Sequence, residues 1–285
     1  MQKTSFLKKV RVKVPLKINL NLDVFPVDDK GFHPLQSFVT SINVFDTVTV
    51  KKRKDNQVTL KQVGKTTTCP TEKHSAYKCA RAFMQTFNTS GVDIVVKKRI
   101  GEGAGLGGSS ADIVGVALGM AKLFSVTTDL TEFLSKLGSD TVYMANGGWA
   151  LISEYGNTVK PISTNAKLYL NLFTTPQGCP CKQVFADFDK LTERALPTSS
   201  KVATNFENQL ICEGLALCKN DLSTPATAVY PHLQATMDFI DSKFTFMSGS
   251  GSTIYTVHLS KAERNKVYKS HKKMYPYTIV KAKTL

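Results

Sequence analysis

Acidic residues are scarce in this sequence. Its 285 residues hold 22 Asp and Glu against 37 Lys and Arg, a formal net charge of +15. Arginine is scarcer still: six stand at positions 11, 53, 81, 99, 194 and 264, and the other 31 cations are Lys. Readers of nucleic acid lean on the planar, bidentate guanidinium. A basic chain poor in Arg therefore argues for a solvated surface rather than base readout, although anionic small molecules such as nucleotides are drawn to it. No apolar run approaches the roughly 20 residues that cross a bilayer. The opening Met1-Gln-Lys-Thr-Ser-Phe-Leu-Lys-Lys9 lacks the apolar core of a secretory signal. We expect a cytoplasmic protein, off the membrane, as a monomer or homodimer. The six cysteines (69, 79, 179, 181, 212 and 218) follow no framework spacing. Cys179-Pro-Cys181 has no second ligand pair at zinc-site distance, and the five histidines are scattered, so reduced thiols and no metal site made by the protein alone are expected.

What is present is an ordinary globular composition, 42% hydrophobic and 21% charged, which excludes a disordered chain. Period-2 alternation predicts strands over 9–15, 17–24, 38–44 and 47–52. A turn at 54–56 and a strand over 57–62 suggest a hairpin that pairs back on 47–52. Apolar steps of three and four predict helices over 71–87 and 110–124, on either side of a β-branched strand at 92–97. A third helix is expected over 129–137, with Thr128 or Asp129 as N-cap. Composition shifts near Tyr155-Gly-Asn157. Beyond it we expect strands at 168–174, 244–247, 253–259 and 278–282, and helices over 184–191, 208–217, 230–240 and 261–269. Strands mixed with helices, without strict alternation, argue for an α+β fold in two lobes, divided into domains 1–157 and 158–285.

The strongest local signal is Arg99-Ile-Gly-Glu-Gly-Ala-Gly-Leu-Gly-Gly-Ser-Ser-Ala-Asp112, set between a strand and a helix. Glycine lets backbone N–H groups converge, and the helix start adds unsatisfied N–H groups and a positive dipole end. Together they suit a triphosphate. The segment is not a P-loop, which needs Gly-Lys-Ser/Thr. Gly103-Ala-Gly-Leu-Gly-Gly108 has the dinucleotide spacing, but the serines and the missing strand with an acidic end weigh against that use. Gly103, Ala104, Gly105, Leu106, Gly107, Gly108, Ser109, Ser110 and Lys98 are the expected ATP phosphate contacts. Lys98 and Arg99 meet phosphate or are surface charge.

Four segments occur in the order of the GHMP kinase superfamily: Pro15-Leu-Lys-Ile-Asn-Leu20, Gly105-Leu-Gly-Gly-Ser-Ser110, Leu137-Gly-Ser-Asp140 and Met247-Ser-Gly-Ser-Gly251. The chain resembles this family from about Lys9 to Leu259. Gly31-Phe-His33, Gly138-Ser-Asp-Thr-Val-Tyr-Met144, Asn220-Asp-Leu222 and Tyr230-Pro231 make it most similar to the branch that phosphorylates a cytidine-diphosphate-linked polyol in non-mevalonate isoprenoid biosynthesis. It departs from the pattern at Gly101, where the family has proline, in a loop one residue short, at Leu16, at His74-Ser75, at Pro180-Cys181 and at Val142. The resemblance implies a two-lobed kinase with nucleotide and substrate sites in the cleft between lobes, using ATP with Mg²⁺ that arrives on the nucleotide. It implies Asp140 as general base and Lys17 as the residue that orients it and stabilises charge. From the residues alone, Asp140 is as well read as a turn residue and Lys17 as an edge-strand cation, which shares a side with Asn19 only if its strand bends. Asn19, Phe32, His33, Cys181, Phe185, Gly249 and Gly251 are the implied substrate contacts, the aromatic and imidazole rings holding a pyrimidine. Two other readings stand beside this one: another small-molecule kinase of the superfamily, acting on mevalonate, homoserine or a sugar, and a degenerate kinase fold that only binds nucleotide or nucleic acid.

Overall fold

Alternating apolar and polar residues build two long strands, β1 (Lys9–Val24) and β2 (Leu35–Lys52), which pair with each other. The computed structural model describes residues 7–65, 69–191 and 194–285. The expected interruptions at Pro15 and between 44 and 47 are absent, and both strands run through. A proline interrupts a strand only where the missing N–H would have entered the ladder. The described residues fall into two compact units. The first holds the described residues up to Pro15, Phe45–Glu102 and Gly108–Ala145; the second holds Leu16–Val44, Gly103–Gly107 and Asn146–Leu285.

In the first unit, β3 (Val58–Gly64) does not fold back on β2 as expected. It runs parallel to β4 (Val92–Lys98), which pairs antiparallel with Thr47–Lys52 of β2 and so lies between them. The cause is the connection. β3 reaches β4 through helix α1 (Ser75–Phe87), and a helical crossover delivers parallel strands. Val92, Ile94 and Val96 are fully buried, as a central strand requires. α1 starts later than predicted. A single 3₁₀ turn, Thr71–Lys73, precedes it, and His74 is extended and caps it, Nδ1 accepting from the Ala76 N–H at 3.2 Å. Helix α2 (Gly108–Phe124) packs closely on the sheet through glycine: a Cβ on Gly115 would sit 2.4 Å from Val48 Cγ2. α3 (Thr131–Ser135) is shorter than expected, with Asp129 Oδ1 accepting from the Thr131 N–H at 2.9 Å. The apolar run after Asp140 is helix α4 (Thr141–Asn146), with Val142, Tyr143 and Met144 buried.

In the second unit, Tyr155-Gly156-Asn157 is the turn of an unforeseen hairpin, β5 (Trp149–Glu154) and β6 (Thr158–Pro161), with Gly156 at φ +91°. β5 pairs with the Leu35–Thr40 stretch of β2. A separate antiparallel sheet has β7 (Tyr169–Thr174), β8 (Thr245–Met247), β9 (Ile254–His258) and β10 (Thr278–Lys283) in the order β10-β7-β9-β8. Its helices are α5 (Cys181–Phe188), α6 (Ser199–Glu207), α7 (Ile211–Ala216), α8 (Ser223–Val229), α9 (Pro231–Phe239) and α10 (Lys261–His271). The core gathers Phe173, Val184, Phe188, Leu222, Leu233 and Ile254. α6 and α8 were not predicted, and α7 is shorter than the helix expected over 208–217. α6 starts where the Asp23 carboxylate accepts from the N–H groups of Thr198 and Ser199, a cap supplied from 176 positions away.

Candidate active site

The glycine segment turns its carbonyls toward the protein. In the second unit, Gly103 C=O accepts from the N–H groups of Cys179 at 3.0 Å and Ser252 at 2.8 Å, and Ala104 C=O from that of Thr253 at 3.2 Å. Gly105 C=O accepts from Ser248 Oγ at 2.9 Å, and Leu106 C=O from the Lys17 N–H at 3.1 Å. Among the described residues, none accepts from the N–H groups of Gly105, Leu106 or Gly107. φ is positive at Gly103, Gly105 and Gly107 and not at Ala104 or Leu106, an alternation that makes neighbouring N–H groups converge. A Cβ on Gly105 would meet Ser248 C=O at 1.9 Å, so no side chain fits there.

Beside this segment, Lys17 and Asn19 are buried on β1 of the same unit. Lys17 Nζ donates to Asn19 Oδ1 at 2.6 Å. No bend is needed for this, because residues two apart on a strand face the same side. Asn19 Nδ2 donates to Ser37 Oγ at 2.8 Å, its N–H to Ser248 Oγ at 3.3 Å, and its C=O accepts from Tyr255 Oη at 2.7 Å. Gly249 and Gly251 have positive φ, and Asn220 Nδ2 holds Met247 C=O at 2.9 Å and Gly249 C=O at 2.8 Å. Ser248 and Asn220 were missed as site-building residues. Both lie inside quoted motifs, Ser248 next to Gly249 and Asn220 three residues before α8.

His33 and Phe185 come together, their rings stacked at 5.2 Å and 21°. His33 Nε2 lies 3.3 Å from Asp189 Oδ2. Phe32 does not join them: it is 64% exposed and stands edge-on to Tyr155, whose hydroxyl donates to Asp28. Cys181 Sγ lies 2.9 Å from Ser250 Oγ. A cavity of about 790 Å³ elsewhere in this unit contains none of these residues, and its lining includes two lysines, Lys243 and Lys266, and two acids, Asp241 and Glu263.

In the first unit, Gly108, Ser109 and Ser110 open α2, whose first N–H groups have no intrahelical acceptor. A Cβ on Gly138 would lie 3.7 Å from Ser110 Oγ, so the turn leading to Asp140 neighbours the serine. Asp140 is half-buried at the start of α4, its C=O accepting from the Met144 N–H at 2.9 Å. Lys98 is buried. Its Nζ lies 2.6 Å from Asp46 Oδ2 and 2.9 Å from Asp112 Oδ1, and donates to Gly108 C=O at 2.8 Å. Burial works to lower the Lys98 pKa, but Asp112 and Asp46 overcome it and hold the ammonium above its usual range. Burial pushes the Asp112 carboxyl up to about 6, against the pull of Lys98. Burial, with Lys98 helping and Glu102 opposing, lowers the His74 pKa. Among the described residues, no group of three His, Cys, Asp or Glu is placed to hold a metal, and no helix is long and apolar enough to cross a membrane.

Residues 74–157 match the family described as GHMP kinases N terminal domain. Over 267 residues the chain is 28% identical to a 4-diphosphocytidyl-2-C-methyl-D-erythritol kinase of Shouchella clausii (strain KSM-K16), covering 91% of this chain and 89% of that one. Its fold superposes on a crystal structure of 4-(cytidine 5'-diphospho)-2C-methyl-D-erythritol kinase with TM-score 0.78 at 20% identity, covering 96% and 98% of the two chains. It also superposes on homoserine kinase from Cytophaga hutchinsonii ATCC 33406 with TM-score 0.71 at 16% identity, covering 100% and 97%. At these identities the structural likenesses establish the fold.

Proposed function

We propose that the chain is a kinase of the GHMP type, ATP-dependent and acting on the 2-hydroxyl of 4-diphosphocytidyl-2-C-methyl-D-erythritol, a step of non-mevalonate isoprenoid biosynthesis. The observation that carries the reading is the glycine segment, with its carbonyls bonded inward and three consecutive N–H groups without an acceptor among the described residues. Such a row, followed by a helix start, suits the oxygens of a polyphosphate. Phosphoryl transfer asks a protein for little beyond positioning and charge stabilisation.

In this reading Gly103 to Gly108, Ser109 and Ser110 hold the triphosphate, and Lys98 serves the same loop. ATP supplies the phosphoryl group, with Mg²⁺ carried on it and touched at most by the two serines. Asp140 takes the proton of the acceptor hydroxyl. Lys17, aligned by Asn19 and Ser37, stabilises charge on the reacting oxygen. Asn19, Cys181, Gly249 and Gly251 contact the acceptor, and Phe32, His33 and Phe185 receive its cytosine. The division into domains 1–157 and 158–285 belongs to the same proposal.

ADP release measured against a panel of acceptors tests it. Turnover should be highest with the cytidine diphosphate polyol. Preference for mevalonate, homoserine or a sugar would replace the acceptor and keep the kinase. Tight RNA binding at physiological salt with no turnover of any acceptor would leave only a degenerate fold.

A further inference from the structure

Lys98 Nζ donates to Gly108 C=O at 2.8 Å and to Asp112 Oδ1 at 2.9 Å, and it forms an ion pair with Asp46 Oδ2 at 2.6 Å. The lysine and both carboxylates are nearly inaccessible, with side chains 4%, 1% and 4% exposed. The other oxygen of Asp46, Oδ1, accepts from the Arg99 N–H at 2.7 Å. The cluster therefore grips the chain at two points. Asp46 holds the backbone where it leaves β4, at Arg99. Lys98 holds the first carbonyl of α2, at Gly108. These are the two ends of the glycine segment. Gly108 is part of the same device, because a Cβ there would lie 3.2 Å from Lys98 Nζ. With one cation and two carboxylates the cluster carries no surplus positive charge to attract a phosphate.

We propose that Lys98, Asp46 and Asp112 form one buried positioning unit that fixes both ends of the glycine segment, and that Lys98 is not itself a phosphate ligand. The inference rests on the kinase reading in one respect, that the segment binds the triphosphate of ATP. It differs from the expectation drawn from sequence, in which a lysine just before a glycine loop reaches the nucleotide directly. Reaching a phosphate would require Lys98 to leave a buried carboxylate without its partner, a strongly unfavourable exchange. The attraction for anions is left to the backbone N–H groups, Ser109 and Ser110.

The two roles separate on Asp46. If Lys98 is a phosphate ligand restrained by Asp46, then Asp46→Ala frees it, and ATP should bind as well as before or better. If the cluster positions the loop, Asp46→Ala removes the hold on Arg99 and binding weakens. We would titrate the full-length protein with a non-hydrolysable ATP analogue by calorimetry, without acceptor, and follow the KM for ATP and for the acceptor separately. Lys98→Gln and Asp46→Ala should each weaken analogue binding roughly 10–100-fold, the scale of a charged hydrogen bond. The double variant should be no weaker than the worse single one, because both substitutions break one unit. The KM for the acceptor should stay put while that for ATP rises. Asp112→Asn keeps an oxygen for Lys98 and leaves a neutral pair, so it should fold even where the others do not, and it should recover most of the affinity lost in Asp112→Ala.

Tighter or unchanged binding in Asp46→Ala would overturn the proposal. So would strictly additive losses in the double variant, or a tenfold or greater gain in Asp112→Asn, which would mean that the cluster acts by charge alone. Wild-type protein with no affinity for the analogue would defeat the kinase reading and this inference together. Wild-type binding with all variants at wild-type affinity would defeat the inference alone.

Discussion

Two aspartates, one in each compact unit, are almost equally closed to solvent and each faces a lysine, yet they shift in opposite directions. Asp23 is 1% exposed and Asp112 is 2% exposed. Burial raises the pKa of both. For Asp23 it is overcome by Lys219, 2.7 Å away, and by the Ser199 and Thr198 N–H groups, so its carboxyl titrates below the usual range. Asp112 shares one lysine with Asp46, has no backbone donor among the described residues, and rises to about 6. The difference lies in depth, neighbours and donors together: Asp112 sits deeper among protein atoms, beside the carboxylates of Asp46 and Glu102, while Asp23 receives more donors. An anion in a protein interior is as stable as the hydrogen bonds given to its charged form. In the second unit those donors come from a helix start; in the first, the cluster holds backbone ends at the expense of one carboxylate.

The largest expected effect sets both aspartates apart from a third. Asp140→Asn should lower turnover by about 10²–10⁴, the range for a lost general base, with ATP affinity and melting temperature little changed. Near-normal turnover would leave Asp140 as a turn residue. Asp23→Ala should do the reverse. It strands the Thr198 and Ser199 N–H groups and takes one of two carboxylates from Lys219, and denaturant titration should show a loss of about 3–5 kcal/mol. A loss under 1 kcal/mol would mean that donor count does not explain the contrast.

A smaller effect is read from pH. Asp112 binds its proton more tightly folded than unfolded, so its contribution is full below the ordinary aspartate range and fades as pH rises through about 6. Asp23 has the opposite sign: its contribution is present at neutral pH and is lost as pH falls through its lowered native value. Subtracting the stability curve of Asp112→Asn from that of the wild type between pH 4 and 6 should leave a fall with rising pH, at most about 1.4 kcal/mol per unit. A flat difference would place the proton elsewhere in the cluster. The smallest effect is expected where neither aspartate reaches. Gly101 has no positive φ and nothing within 4 Å of a built Cβ. Gly101→Ala should therefore raise stability by about 0.4–1 kcal/mol through the unfolded chain, and a lower melting temperature would show that the loop needs glycine there.

Much of the fold could be read from local patterns because period-2 and period-3.6 spacing act over a few residues. The strands expected over 92–97 and 168–174 and the helices expected over 71–87 and 261–269 are cases, each found within a few residues of its expected ends. The misses have a common form. β3 was assigned to its neighbour in sequence, whereas the crossover through α1 put it against β4. α6 carries no cap of its own, and its start depends on Asp23. At the site, the glycine segment and the Lys17–Asn19 pair stood out as motifs. Ser248, Asn220 and Asp46 did not, since each acts through a backbone group or side chain that only folding brings near.

The sequence by itself determined where glycine must stand, which faces of the strands and helices are apolar, and which family's order of motifs the chain follows, because these depend on residue type and short spacing. Only the tertiary structure decided which groups surround Lys98. Asp46 lies 52 positions before it, and whether that lysine meets a phosphate or two carboxylates depends on which groups share a dry interior with it, which spacing along a chain does not contain.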